Sequence, residues 1–253
     1  MRSTRRYRAV VFDLFDTLVD FRYARLPLVN INGSAVNTTS KMVYDVFSSF
    51  CIGVPHERFH GAFVESYLEF EALKKNDGRE YPSRERFLLV LRKLGVEPEG
   101  EMLSLADKMA EVHHEALRLG MDMPPENAKL LEALSESYTL GLLSNFDNSR
   151  SARQVIEGYG IERYFKSIII SVDTRWRKPR KEIFLMSAEE VGFPPSDIVF
   201  IGDNYDADIV GAKSAGFDTI WIRKPGETRQ EDGSLADYVV PSLTVVGDIL
   251  LGG

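Results

Sequence analysis

Cysteine is nearly absent from this 253-residue chain: Cys51 stands alone. A single thiol excludes an intrachain disulfide, suits a reducing compartment, and reads as packing rather than chemistry. Long apolar runs are missing too. Nothing approaches the roughly 20 apolar residues that span a bilayer. The basic opening MRSTRRYR starts like a signal peptide, but Asp13 and Asp16 interrupt the apolar stretch behind it. The expectation is a soluble, cytoplasmic protein. Positive charge is in deficit, with 31 Lys plus Arg against 38 Asp plus Glu and a net charge of -7. That balance argues against non-specific binding to nucleic acid or an anionic membrane and for a small or neutral partner of a monomer or homodimer. The basic cluster TRWRKPRK, from Thr174 to Lys181, reads in this acidic context as a solvated loop or an anion-attracting rim. No internal repeat or low-complexity tract is present, and a hydrophobic content of 44% is ordinary for a packed globular chain.

What the sequence does contain is a set of short, almost wholly apolar runs. Val10, Val11 and Phe12 open the set, and YTLGLLSN, KSIIIS, DIVFIGD and FDTIWI continue it from about Glu126 onward, separated by helical patterns. Alternation of this kind predicts βαβ units and a doubly wound parallel sheet, an α/β fold. The runs lack polar alternation, as strands covered on both faces must.

Between the first strand and the rest, roughly Arg22 to Met121, the pattern is helical. One predicted helix carries Phe59, Phe63, Tyr67 and Phe70, and another Met102, Leu105, Met109 and Val112, spacings that place each set on one face. These stripes are read as the insert's own core. His113 and His114 are sequence neighbours, which point in different directions on a helix, so they are not read as a metal site. Ahead of the helices, Asn32-Gly33 between short apolar runs predicts a two-residue hairpin turn, and MDMPPEN reads as the return linker, its prolines leading into a new helix. The chain thus divides into a core of residues 1–21 and 122–253 and an inserted helical domain of residues 22–121.

In doubly wound sheets, ligands bind beyond the carboxyl ends of the strands. The informative ends here are Asp13, then Ser144 with Asn145, then the loop holding Lys178, then Asp203 followed five residues later by Asp208. Any one of these would serve as a helix cap; the four together, in order, are harder to assign to capping. Three converging carboxylates need cations, and a hard divalent ion such as Mg²⁺ beside Lys178 meets that need while leaving positions open for a phosphate oxygen. A carboxylate can act as nucleophile. Ser144, Asn145 and backbone N–H groups at the following helix start can hold phosphoryl oxygens.

This set resembles the haloacid dehalogenase superfamily of hydrolases. The motifs are FDLFDTL, LLSN, the pair Lys178-Pro179, and IGDNYDAD followed by GAKSAG, in order along the whole chain, with a helical cap inserted after the first strand. The resemblance implies a Mg²⁺-dependent phosphatase acting on a small phosphorylated metabolite. It implies Asp13 as nucleophile, Thr17 supporting the loop, Ser144 contacting phosphate, and Lys178 steadying nucleophile and phosphate. For the metal it implies Asp13, Asp203, the backbone carbonyl of Phe15, and Asp208 directly or through water. Closure of the cap about its two linkers would exclude water from the aspartyl chemistry.

Phe15 departs from the pattern, because phosphatases of this superfamily usually carry a second Asp there as general acid and base. Asp16 falls one residue later, where Gly is common, and its side chain should leave the turn in another direction. Metal-free 2-haloacid dehalogenases of the superfamily carry an aromatic residue at the Phe15 position, so dehalogenation is the rival activity, with Arg22 or Arg25 as its halide-receiving candidate. Those enzymes replace the first acid of the fourth motif by a small neutral residue, whereas this chain keeps Asp203. A third reading is a weakly active binding or regulatory protein on the same fold, since general acid-base help is worth roughly 10²–10⁴ in rate.

Overall fold

The structure, a computed structural model, describes residues 7–51, 53–224 and 235–252. Most of the basic opening, residues 1–6, lies outside the described residues. The chain forms two compact units, Met1–Asp20 with Met123–Gly253, and Phe21–Asp122.

In the first unit, six strands build one sheet: β1 Ala9–Phe12, β2 Thr139–Ser144, β3 Phe165–Ile170, β4 Ile198–Gly202, β5 Asp218–Ile222 and β6 Tyr238–Val240. Their order is β6-β5-β4-β1-β2-β3, and every neighbouring pair is parallel. The apolar runs become strands because both faces of the sheet are covered. Ala9 and Val11 of β1 join Leu143, Ile169, Ile198 and Phe200 against Ile183, Phe184, Ala188 and Val191 of the helix Lys181–Val191. Val10 and Phe12 are equally buried and point to the opposite face. β6, three residues long, is too short for the sequence pattern to mark.

The topology fixes where a ligand site falls. From β1 the chain moves outward through β2 and β3, then returns to the other side of β1 for β4 and moves outward again through β5 and β6. The order therefore reverses at β1, and the carboxyl ends of β1, β2 and β4 surround the switch point.

Among the described residues the second unit holds the α-helices Ser40–Ser48, His56–Asp77, Ser83–Lys93 and Glu101–Arg118. They enclose a core of Val43, Phe47, Phe59, Phe63, Phe87, Leu91, Leu105 and Met109, with Met102, Val112 and Cys51 packed at its margin. Each such aliphatic or phenyl side chain contributes about 1.5–3 kcal/mol when fully buried. Of the aromatic stripe, Tyr67 alone is well exposed, at 49%. Burial raises the Cys51 thiol pKa, as befits a packing residue. His113 accepts or donates a hydrogen bond at Thr39 Oγ1, 2.8 Å away, and its ring lies 5.6 Å from those of Phe63 and Phe87. The hairpin forms as read: Leu28–Ile31 pairs antiparallel with Ser34–Asn37. Its turn residues Asn32 and Gly33 take φ of 51° and 86°, both in the left-handed region that a type I′ turn demands. The chain passes between units along the short strands Asp20–Phe21 and Met121–Asp122, which pair with each other.

Candidate active site

β1 stops at Asp13 because the chain turns there. The Asp13 backbone N–H donates to Ile201 O at 2.9 Å, so the residue stays registered against β4 while its side chain passes the end of the sheet. Leu18 and Val19 N–H groups return to Leu14 O, both at 2.9 Å, and Asn127 Nδ2 donates to Leu18 O at 2.9 Å. Asp16 sits at φ 65°, the left-handed conformation that makes glycine common at such a position. Phe15 is half-buried, and its ring lies 4.7 Å, centroid to centroid, from that of Phe146 after β2. Two residues after Asp13, where a carboxyl group was the family expectation, stands a ring paired with another aromatic.

The loop after β3 delivers Lys178. Its Nζ lies 2.6 Å from Asp13 Oδ1 and 2.7 Å from Asp208 Oδ1, with the side chain only 2% exposed. Asn145 holds the loop in place: its Oδ1 accepts from Lys178 N at 2.8 Å and its Nδ2 donates to Lys178 O at 3.0 Å. The carboxamide is therefore engaged in positioning Lys178, whereas the sequence suggested a phosphoryl contact.

β4 delivers the two remaining acids. Trp221 Nε1 donates to Asp203 O at 2.8 Å, which fixes the backbone of that residue. Asp208 Oδ2 accepts from Asn204 N at 2.9 Å, and Asn204 Oδ1 caps the following helical turn through Ala207 N at 2.9 Å. Gly202 makes this possible, since a Cβ there would lie 2.3 Å from Asp208 Oδ2. Any side chain at 202 would push the buried carboxylate away.

Asp13, Asp203 and Asp208 each present a carboxylate oxygen, all within 4.8 Å of one another. Burial is the first reason that Asp203 is pushed up to about 6, with the Asp13 charge adding to it and Lys224 opposing. Asp208 is pushed up to about 7, again chiefly by burial, with Lys178 opposing and Asp13 and Asp203 adding. Burial alone would lower Lys178, yet Asp13 and Asp208 together hold it above its ordinary value. The acids carry more negative charge than the buried cation offsets.

Two hydroxyls lie on the neighbouring segments, Ser144 at the end of β2 and Thr17 in the turn after β1. Ser144 Oγ and Thr17 Oγ1 are buried, and neither has a hydrogen-bond partner among the described residues. Buried polar groups are normally paired, so two unpaired hydroxyls at the ends of β2 and β1 suit an absent oxyanion. The all-oxygen acid set likewise suits a hard divalent ion, because Mg²⁺ is held by one or two carboxylates together with waters and phosphate oxygens.

Sequence reasoning missed three contributors. Phe146 and Trp221 carried no motif. Lys224 stands two residues beyond β5, with Nζ 2.9 Å from Asp16 Oδ1 and 3.3 Å from Asp203 Oδ2. Examining the end of β5 as the other strand ends were examined would have found it. Arg22 and Arg25, the halide candidates, both pair with Asp122 Oδ2 at 3.1 Å.

A parallel sheet with an aspartate-lysine-aspartate cluster at its switch point defines a hydrolase of the Rossmann-like α/β class. The chain belongs to the haloacid dehalogenase-like hydrolases, whose family profile matches residues 7–216. It is similar to glyceraldehyde 3-phosphate phosphatase of Pyrococcus furiosus, 25% identical over 97% of this chain and 94% of that protein. The enzyme of the same name from Methanopyrus kandleri is 28% identical, over 63% of this chain and 66% of that one. Among solved structures, a 2-haloacid dehalogenase from Pseudomonas syringae superposes with a TM-score of 0.73 at 23% identity, covering 97% of this chain and 99% of that one. No helix among the described residues is long and apolar enough to cross a membrane.

Proposed function

We propose that the chain is a Mg²⁺-dependent phosphatase acting on a small phosphorylated metabolite through an aspartyl phosphate on Asp13. The observation that carries this reading is the convergence of Asp13, Asp203 and Asp208 within 4.8 Å of one another, with the buried Lys178 ammonium on Asp13 and Asp208. The relatives that share most of the chain and are named as glyceraldehyde 3-phosphate phosphatases support the substrate class.

Asp13 attacks phosphorus through a carboxylate oxygen, the bond to the leaving oxygen breaks, and water later cleaves the acyl phosphate to regenerate the carboxylate. Lys178 orients Asp13 through the contact at Oδ1, leaving the other carboxylate oxygen to react. Ser144 and Thr17 donate their unpaired hydroxyls to phosphoryl oxygens. Asp13, Asp203 and Asp208, with the Phe15 carbonyl, would hold the ion, which supplies charge neutralisation at the transferring phosphoryl group. Asn145 keeps Lys178 in register.

The rival activity, metal-independent dehalogenation of a 2-halo acid, is favoured by the Phe15–Phe146 pair. Retention of Asp203 and engagement of Arg22 and Arg25 by Asp122 weigh against it. A panel of phosphorylated metabolites and 2-halo acids, assayed with Mg²⁺ and with EDTA, separates the two. Metal-dependent phosphate release is expected, and metal-independent halide release would overturn the assignment.

A further inference from the structure

Lys224 belongs to none of the motifs that mark the site, yet its ammonium lies between Asp16 and Asp203, at 2.9 and 3.3 Å. The side chain is 41% exposed. Lys178 and Lys224 therefore divide the acids between them: Lys178 takes Asp13 and Asp208, while Lys224 takes Asp203 and an aspartate outside the triad. Asp16 can reach Lys224 because it occupies the left-handed conformation, φ 65°, which turns its side chain away from the course an ordinary residue would follow. The charged residue at a glycine-like position thus holds the Lys224 ammonium. A divalent ion and an ammonium cannot both be close to the Asp203 carboxylate without repulsion, because like charges a few ångström apart disfavour each other even at intermediate dielectric.

We infer that Lys224 is a positioning residue for the metal centre, an internal counter-cation that pairs with Asp203 when no ion is bound and must yield it, held back by Asp16, when the ion enters. The inference rests on the proposed metal site. Its consequence is a weakened affinity for the ion: Lys224 stabilises the empty triad and competes for one of its ligands. Removing the ammonium should tighten metal binding, although it removes a group that touches the site.

Mn²⁺ binding to the full chain, followed by the electron paramagnetic resonance signal of the free ion, tests this without reference to turnover. Lys224→Met should lower the Mn²⁺ dissociation constant by about tenfold, the size expected for removal of one half-exposed unit charge from a ligand oxygen. Lys224→Arg, which keeps the charge, should stay within about threefold of wild type by the same electrostatic reasoning. Arg223→Met provides the control for net charge. Its guanidinium sits 6.0 Å from the Trp221 ring centroid, and its loss should change the affinity less than about twofold if contact rather than overall field is responsible. Asp16→Asn should weaken binding more in wild type than in the Lys224→Met background, since only wild type has an ammonium to release onto Asp203. An unchanged or raised dissociation constant in Lys224→Met, or an equal tightening by Arg223→Met, overturns the inference alone. Absence of Mn²⁺ binding in wild type overturns the metal reading as well.

Discussion

Replacing Lys178 by methionine should strongly destabilise the first unit, and the loss should depend on pH. The ammonium contacts Asp13 at 2.6 Å and Asp208 at 2.7 Å from a side chain that is 2% exposed. Methionine fills similar volume, so the cost is electrostatic rather than a cavity. Removing one partner of a buried ion pair typically costs about 3–5 kcal/mol, because the remaining charge is left uncompensated. Two unit charges 4 Å apart repel by about 4 kcal/mol at an effective dielectric of 20, so the variant will take up a proton on an acid instead. Burial pushes Asp208 up to about 7 and Asp203 up to about 6 even with Lys178 in place. Both values are raised, so their ionised forms are disfavoured in the fold. A metal-free protein therefore loses stability as the pH climbs from the unfolded value near 4 through 6 and 7. Without Lys178 that loss deepens. At pH 8 the variant should melt about 6–20 °C below wild type, and at pH 5.5 the gap should be less than half as large, with Asp203 and Asp208 protonated. Circular dichroism melts in EDTA at the two pH values measure both quantities. A gap under about 1 kcal/mol at pH 8, or one equal at both pH values, would show that Lys178 is held by packing and not by the acids.

Other perturbations probe separate parts of the site. Ser144→Ala removes a buried hydroxyl that has no protein partner among the described residues, so it should change stability by less than about 1 kcal/mol. It should nonetheless lower kcat/KM about 10²-fold; comparable losses in both would contradict the phosphoryl contact. Phe15→Asp places a carboxyl group beside the nucleophile and should raise hydrolysis of an alkyl phosphate more than that of an aryl phosphate at saturating Mg²⁺. An equal fall on leaving groups of graded pKa would make Phe15 a packing residue only. The thermal shift produced by Mg²⁺ should grow between pH 5 and pH 8, as Asp203 and Asp208 ionise and become ligands. A shift independent of pH in differential scanning fluorimetry would remove these acids from the metal's coordination.

The sheet was legible because five of its strands fall on short, largely apolar runs. Val10 to Phe12 and Ile198 to Ile201 carry no polar alternation, and a strand covered on both faces leaves that mark. β6 escaped because three residues carry no period. The acids at the strand ends were legible as a set: any one could cap a helix, but four such ends in order are harder to assign to capping. What stayed hidden was the assignment of partners. Asn145 looked like an anion contact from its place after Ser144, and only the fold brings the Lys178 backbone within reach of its carboxamide. Lys224 is one basic residue among 31, and its relation to Asp16 spans the sequence from the first strand to beyond the fifth. Pairings of that kind depend on topology rather than on local pattern, as does the contact between Phe15 and Phe146.

The central claim is that Asp13 carries the phosphoryl group. Rapid acid quench of the enzyme during turnover of a phosphorylated substrate with Mg²⁺, followed by borohydride reduction and peptide mass spectrometry, examines that residue directly. The account predicts homoserine in place of aspartate at position 13, dependent on substrate and Mg²⁺ and absent from Asp13→Asn. Recovery of unmodified Asp13 from an actively turning-over enzyme, with the label on another residue or on none, would contradict it.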